Sequence, residues 1–273
     1  MNVDDSLRML ARDAGCPVDL AELALQLAQD EYPTLDVAEY LDRLDHLAGE
    51  ARSFLGKNFE AKVAGLCRFL FREVGFHGNQ KEYYDPRNSY LNEVLDRQTG
   101  IPITLSLVTM EVGRRLGLRI TGIALPGHFV VMARGQNQDI LLDPFNDGER
   151  IEPNECDQLV QRATGMNLEV KKSDLSPALP GAIVVRMLMN LKGCYLRAGE
   201  YTKAARVIGR LIQAAPNDWI QQRDLGACYL QAGLAGKAID PLEDYLQHTP
   251  DAIDREAVQK LIRKARKEVA KWN

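Results

Sequence analysis

"LPGHFVVMARGQNQDILLDPFNDG", residues Leu125–Gly148, decides how the first part of this chain folds. Two apolar runs, "HFVVMAR" and "DILLDPF", flank the polar turn "GQNQ", and their β-branched and aromatic content reads as paired strands. Upstream, "LRITGIAL" has the same character and ends at Pro126 and Gly127; downstream, "NDGERIEP" is a turn into a short fourth strand. The pattern predicts antiparallel strands over about residues 118–152. His128 opens one of them and Asp143 closes the next, so the hairpin would bring a base and an orienting carboxylate together. The bland alternative is that the two groups only satisfy each other at the edge of a core.

Toward the N-terminus the strand pattern gives way to helix. Val37 to Leu55 sets Leu41, Leu44, Leu47, Ala48, Ala51 and Leu55 on one face, and Phe59 to Val74 does the same with Val63, Leu66, Cys67, Leu70 and Val74. An irregular stretch then surrounds a short helix carrying "SYLNEVLDR". "ITLSLVTMEVGRRLGL" is apolar nearly all round and becomes amphipathic only near Arg114 and Arg115, which marks a helix buried on every side and ending at Gly117. The chain is therefore expected to be mostly helical to about residue 117.

After a helix at about Pro153 to Thr164, the stretch "SDLSPALPG" marks a domain boundary, giving domains at 1–178 and 182–273. Beyond it the sequence repeats. "LKGCYLRAGEYTKAARVIGRLIQAAPN" from Leu191 aligns with "LGACYLQAGLAGKAIDPLEDYLQHTPD" from Leu225, pairing Cys194 with Cys228, Gly199 with Gly233, Ala204 with Ala238 and Pro216 with Pro250. Each pair is 34 residues apart, the tetratricopeptide period of two helices per repeat. Gly193, Ala204, Ala227 and Ala238 are expected to let paired helices approach, Gly199 and Gly233 to allow the turns, and Asp254 to Trp272 to form a capping helix.

The bulk numbers exclude several function classes. With 273 residues, 45% hydrophobic, 26% charged and a net charge of −4, the chain suits a two-domain globular protein without broad attraction to nucleic acid or anionic lipid. "KLIRKARKEVAKWN" is a local basic exception, read first as the solvated face of a terminal helix. The acidic start "MNVDDSLRML" lacks a signal-peptide pattern and no apolar run spans a bilayer, so the expected location is cytoplasmic. Five scattered cysteines without a CxxC pair, together with four histidines, predict neither disulfides nor a metal site, and no cofactor is expected.

"YYDPRNSYLNEVLDRQTGIPITLSL", "GLRITGIALPGHFVV" and "LLDPFNDG", in that order, resemble the bacterial SirB-type family, in which a transglutaminase-like domain precedes a tetratricopeptide-like region. The resemblance covers nearly the whole chain. It implies an α+β fold: a transglutaminase-like, papain-like N-terminal domain with a small antiparallel sheet, then an all-α helical repeat domain. It also matches His128 and Asp143 to the superfamily's base and orienting residue. An active member of that superfamily carries a cysteine near the head of the buried helix, which here falls near Pro102, and "TGIPITLSL" holds none. Thr104 and Ser106 are the nearby hydroxyls and weak nucleophile candidates, because an alcohol holds essentially no anion at neutral pH. Cys67 lies on an apolar helix face and reads as core.

Asn88 and Asn92, four residues apart, are expected to share a helix face and, with Arg87 and Tyr84, to line a binding groove. Helix capping by Asn88 or Ser89 is the alternative. Two functional readings follow. In one, the chain is a non-enzymatic interaction or scaffolding protein whose repeats hold a protein or peptide partner. In the other, it is a peptide-amide hydrolase or acyl transferase in which His128 and Asp143 activate a hydroxyl or water.

Overall fold

A computed structural model describes residues 2–271 of the chain; Trp272, expected in the capping helix, lies outside them. Helices α1 (Val3–Arg12), α2 (Leu20–Ala28), α3 (Val37–Ala51), α4 (Phe59–Arg68), α5 (Leu91–Arg97) and α6 (Pro102–Arg115) precede the main sheet, and α7 (Cys156–Thr164) follows it. The remaining helices are α8 (Pro180–Ala198), α9 (Tyr201–Ala214), α10 (Ile220–Gln231), α11 (Ala235–His248) and α12 (Arg255–Val269). A two-strand parallel pair, β1 (His77–Gly78) with β2 (Thr99–Gly100), accompanies an antiparallel sheet in the order β3 (Ile120–Leu125), β4 (His128–Arg134), β5 (Asp139–Asp143), β6 (Glu149–Ile151).

The chain divides into two compact units, one of Pro17–Ile183 and one joining Val3–Cys16 to the residues from Val184 onward. The first of these is organised by α6. Pro102 starts it at a position where a missing N–H costs nothing, and the Thr104 hydroxyl accepts the Ile101 N–H at 3.1 Å. Every residue from Pro102 to Thr109 is buried, as the all-round apolar pattern requires. One face meets β3 and β4, where Gly113 leaves room for Ile120, and α2, α3 and α5 cover other sides. Gly117, at φ 74°, ends the helix while the Leu118 N–H bonds the Gly113 carbonyl at 2.8 Å. Buried Glu111 takes Arg114 at 2.8 Å and Arg115 at 2.6 Å near that end, and Asp19 and Asp45 supply further carboxylates to the two arginines. On the sheet, Ile123, Leu125, Val130, Met132 and Leu141 share a core with Cys156, Leu159 and Val160 of α7.

The expected helix Phe59–Val74 keeps α-helical bonding only to Arg68. Phe69–Val74 is a wider π-helical turn that ends at Gly75, φ 91°. Phe69, Leu70 and Phe71 of this wider turn are all buried in the core.

In the second unit the repeat pattern becomes successive packed helices, and Gly199 and Gly233 make the turns with φ 71° and 74°. The close approach falls one residue from one expected position. A Cβ on Gly226 would stand 2.5 Å from Leu242, whereas Gly193 faces open space; Ala204 and Ala238 are fully buried as expected. The first helix joins this unit: α1 packs on α9, burying Ser6, Leu7 and Leu10, and Asp4 pairs with Arg210. Between repeats, the buried Lys192 ammonium on α8 donates to Gln221 and Asp224 of α10, both at 2.6 Å.

Two stability outcomes follow. Gly226→Ala forces Cβ into Leu242 and is expected to cost about 1–3 kcal/mol in urea unfolding. Asp224→Ala leaves a buried ammonium short of its counter-charge and is expected to cost roughly 3 kcal/mol, most of it recovered when Lys192→Met is added. An additive double variant would show that the two groups do not interact.

Candidate functional site

Strand register brings the expected pair together. Val131 lies opposite Leu142, which sets Asp143 across from Val130 and makes His128 its diagonal neighbour. The His128 Nε2 meets Asp143 Oδ2 at 2.8 Å, with the His128 side chain 9% exposed and that of Asp143 1%. The same carboxylate oxygen accepts the Asn146 side-chain amide at 2.7 Å, and the other accepts the Phe145 N–H at 3.1 Å. Burial alone would push the Asp143 carboxyl up. The hydrogen bond and charge of His128, then Asn146 and the Phe145 N–H, outweigh it and hold the group below the usual carboxylate range. A charged carboxylate at Nε2 favours the tautomer with its proton there, which makes Nδ1 the basic nitrogen of the ring.

Around this pair runs an aromatic chain. Phe145 stands edge-on to His128 at 6.0 Å, Tyr83 to Phe145 at 6.0 Å and Tyr84 to Tyr83 at 5.2 Å. Tyr84, half exposed, is its outer end. Gly78 of β1 passes so close to Phe145 that a Cβ there would fall 2.4 Å from the Phe145 carbonyl oxygen. Beside the pair, Arg72, His77, Gln80, Phe145, Asn146 and Asp147 help to line a cavity of about 420 Å³.

The other predicted residues take different places. Asn88 and Asn92 do not share a helix: Asn88 sits in a 3₁₀ turn, Pro86–Ser89, and extended Tyr90 separates it from α5. Asn88 is fully buried, donating to the carbonyls of Glu82 at 2.7 Å and Tyr83 at 3.3 Å and accepting from Asn79 at 3.2 Å. Arg87 grips Asp85, the residue that caps this turn, at 2.6 Å. Asn92 Oδ1 and Ser89 Oγ are buried without a hydrogen-bond partner among the described residues.

The hydroxyls near the head of α6 are committed elsewhere. Thr104 is fully buried and donates to the Asn88 carbonyl at 2.8 Å and the Ile101 carbonyl at 3.2 Å while it caps the helix; Ser106, equally buried, points to the Phe129 carbonyl at 3.5 Å. Neither bonds to His128. Burial pushes the Cys67 thiol up to about 12, and the same cause, helped by neighbouring carboxylates, raises Cys156 to about 11.

Phe145 and Asn146 are the functional neighbours that sequence reasoning missed. The signal was present in "DPFN", since an Asp before Pro readily caps a turn with its own side chain, but nothing local says that Asn146 returns to the same oxygen.

Comparison with known proteins adds family to geometry. Residues 38–189 match the model of the transglutaminase-like superfamily, and residues 191–263 match a tetratricopeptide repeat. A UPF0162 protein of Xylella fastidiosa (strain Temecula1) is 37% identical over 240 residues, covering 85% of this chain and 84% of that protein. A UPF0162 protein of Vibrio cholerae is 28% identical over 237 residues, covering 86% and 87%. F-box only protein 21 of Mus musculus is similar over a shorter stretch, 32% identical across 122 residues, or 41% of this chain and 20% of that protein.

Because the Asp143 carboxyl is depressed on folding, the stability it contributes is present above its unfolded value, near 3.9, and is lost as pH falls through the lower folded value. Asp143→Asn is expected to lower stability by roughly 3 kcal/mol at neutral pH and to narrow that gap as pH drops below about 4. Parallel urea titrations across this range check it, and a gap independent of pH would sink it.

Proposed function

Since the chain belongs to the transglutaminase-like superfamily and to the UPF0162 proteins, and carries a tetratricopeptide repeat region, we propose that it works as a non-enzymatic interaction protein. Repeats of this kind generally mediate protein–protein interaction, and the proposed partner is a protein or peptide held by the repeat unit. One observation carries the finer part of the reading. Near the head of α6, where the superfamily's chemistry needs a thiol, Thr104 is sealed in the core with its hydroxyl spent on the helix cap and the Asn88 carbonyl. On this reading His128 and Asp143 hold the β4–β5 corner and present Phe145 to the aromatic chain, and Asn88 and Arg87 shape the loop that carries Tyr84.

A second reading rests on the charged state of Asp143. Asp143 at Nε2 and a basic Nδ1 suit His128 to remove a proton from water, which would give peptide-amide hydrolysis without a protein nucleophile.

One experiment separates them. The full chain is incubated with a glutamine-bearing acyl donor and a primary amine, and separately with a peptide amide in water, beside His128→Ala. The expected result is no product above that variant in either mixture. Amide cleavage that disappears in both His128→Ala and Asp143→Asn would establish hydrolysis, and amine incorporation that disappears in them would establish acyl transfer.

A further inference from the structure

The C-terminal helix segregates charge. From Arg255 to Lys271 the chain has seven basic residues against two acidic ones, in a protein whose net charge is −4; the rest therefore carries nine more acidic than basic residues. The apolar face of α12, with Val258, Ile262 and Ala265, is buried in the repeat unit's core against residues of α11. Lys260, Arg263, Lys264 and Lys267 are exposed along the other side, at the spacing that aligns residues on one helix face. Arg266 pairs with Glu243 and Lys271 with Glu268, whereas these four have no ion-pair partner among the described residues. Lys260 with Lys264, and Arg263 with Lys267, are like charges one turn apart, an arrangement that weakens a helix. Ile253, two residues before the helix, is completely exposed.

Glu268 is an opposing charge for Lys264 and Lys267, but one carboxylate leaves the row with a positive surplus that works against its own helix. We propose that this row is a docking surface for an acidic segment of a partner protein, with Ile253 as its apolar anchor. This rests on the partner-binding reading above and names the partner's chemistry. From Lys260 to Lys267 the row is about 10 Å long at 1.5 Å per residue, the reach of a short peptide. The acidity of the rest of the chain opposes a long polyanion or an anionic bilayer, which would face the whole protein, more than a short segment confined to the row.

The test is fluorescence anisotropy with the full chain and a labelled glutamate-rich peptide bearing leucines, beside the triple variant Lys260→Gln, Lys264→Gln, Lys267→Gln. All three side chains are exposed, and matching circular dichroism melts establish that the variant folds. The variant is expected to bind roughly tenfold more weakly, and the wild type to lose affinity as salt rises. Ile253→Ser should weaken the leucine-bearing peptide and leave an all-glutamate peptide unchanged. Equal binding by the triple variant, salt-independent affinity, or an unchanged leucine-bearing peptide with Ile253→Ser would overturn the proposal. So would tighter binding of duplex DNA or phosphatidylserine vesicles that is lost in the same triple variant. Turnover dependent on His128 would refute the non-enzymatic reading and leave this binding result standing on its own measurement.

Discussion

A helix that is apolar on nearly every side must be covered on nearly every side, and α6 imposes that requirement on the transglutaminase-like unit. Its cover comes from the sheet and from α2, α3 and α5, and at Gly113 the Ile120 side chain of β3 occupies the space of a missing side chain. Because the interior is dry, each polar group on α6 needs an internal partner. Glu111 finds two arginines and Thr104 three backbone groups. The same enclosure that stabilises the unit commits the hydroxyls at its head to backbone carbonyls.

The His128–Asp143 pair sits under a related constraint. A carboxylate 1% exposed is tolerable only when donors replace the water it has lost, and here the imidazole, an amide side chain and a backbone N–H do so. Three donors around one carboxylate fix the imidazole as well, since His128 must keep Nε2 aimed at Asp143. The corner that results supports Phe145, and through Phe145 the two tyrosines, so a buried hydrogen-bonded pair is connected to an exposed aromatic side chain.

In the repeat unit, packing and charge have separate roles. Gly226 lets α10 approach Leu242 of α11, while Lys192, Gln221 and Asp224 join one repeat to the next through polar contacts inside an apolar stack. Satisfied polar groups of this kind specify register more than they add stability, because their desolvation offsets much of their attraction. Charge left over at α12 is neither buried nor paired. Its physical effect is directed outward, which distinguishes it from the internal pairs.

Much of this was legible from residue order alone. Apolar β-branched and aromatic runs broken by turns gave β3 to β6, the all-round apolar run gave α6, and the constant offset of 34 gave the repeats, because each is a local pattern that any compact fold has to honour. Even the meeting of His128 with Asp143 followed from one hairpin. What could not be read depended on contacts between residues remote in sequence. Asn88 and Asn92 look like one helix face until the extended Tyr90 breaks the turn, and Asn88 is then claimed by Asn79 and two carbonyls. Likewise α1 reads as the start of the first domain, yet it packs on α9, nearly two hundred residues later, because Leu7 and Leu10 need cover that their neighbours in sequence do not provide. Local periodicity says which face of an element is apolar; which distant surface covers it is settled by packing alone.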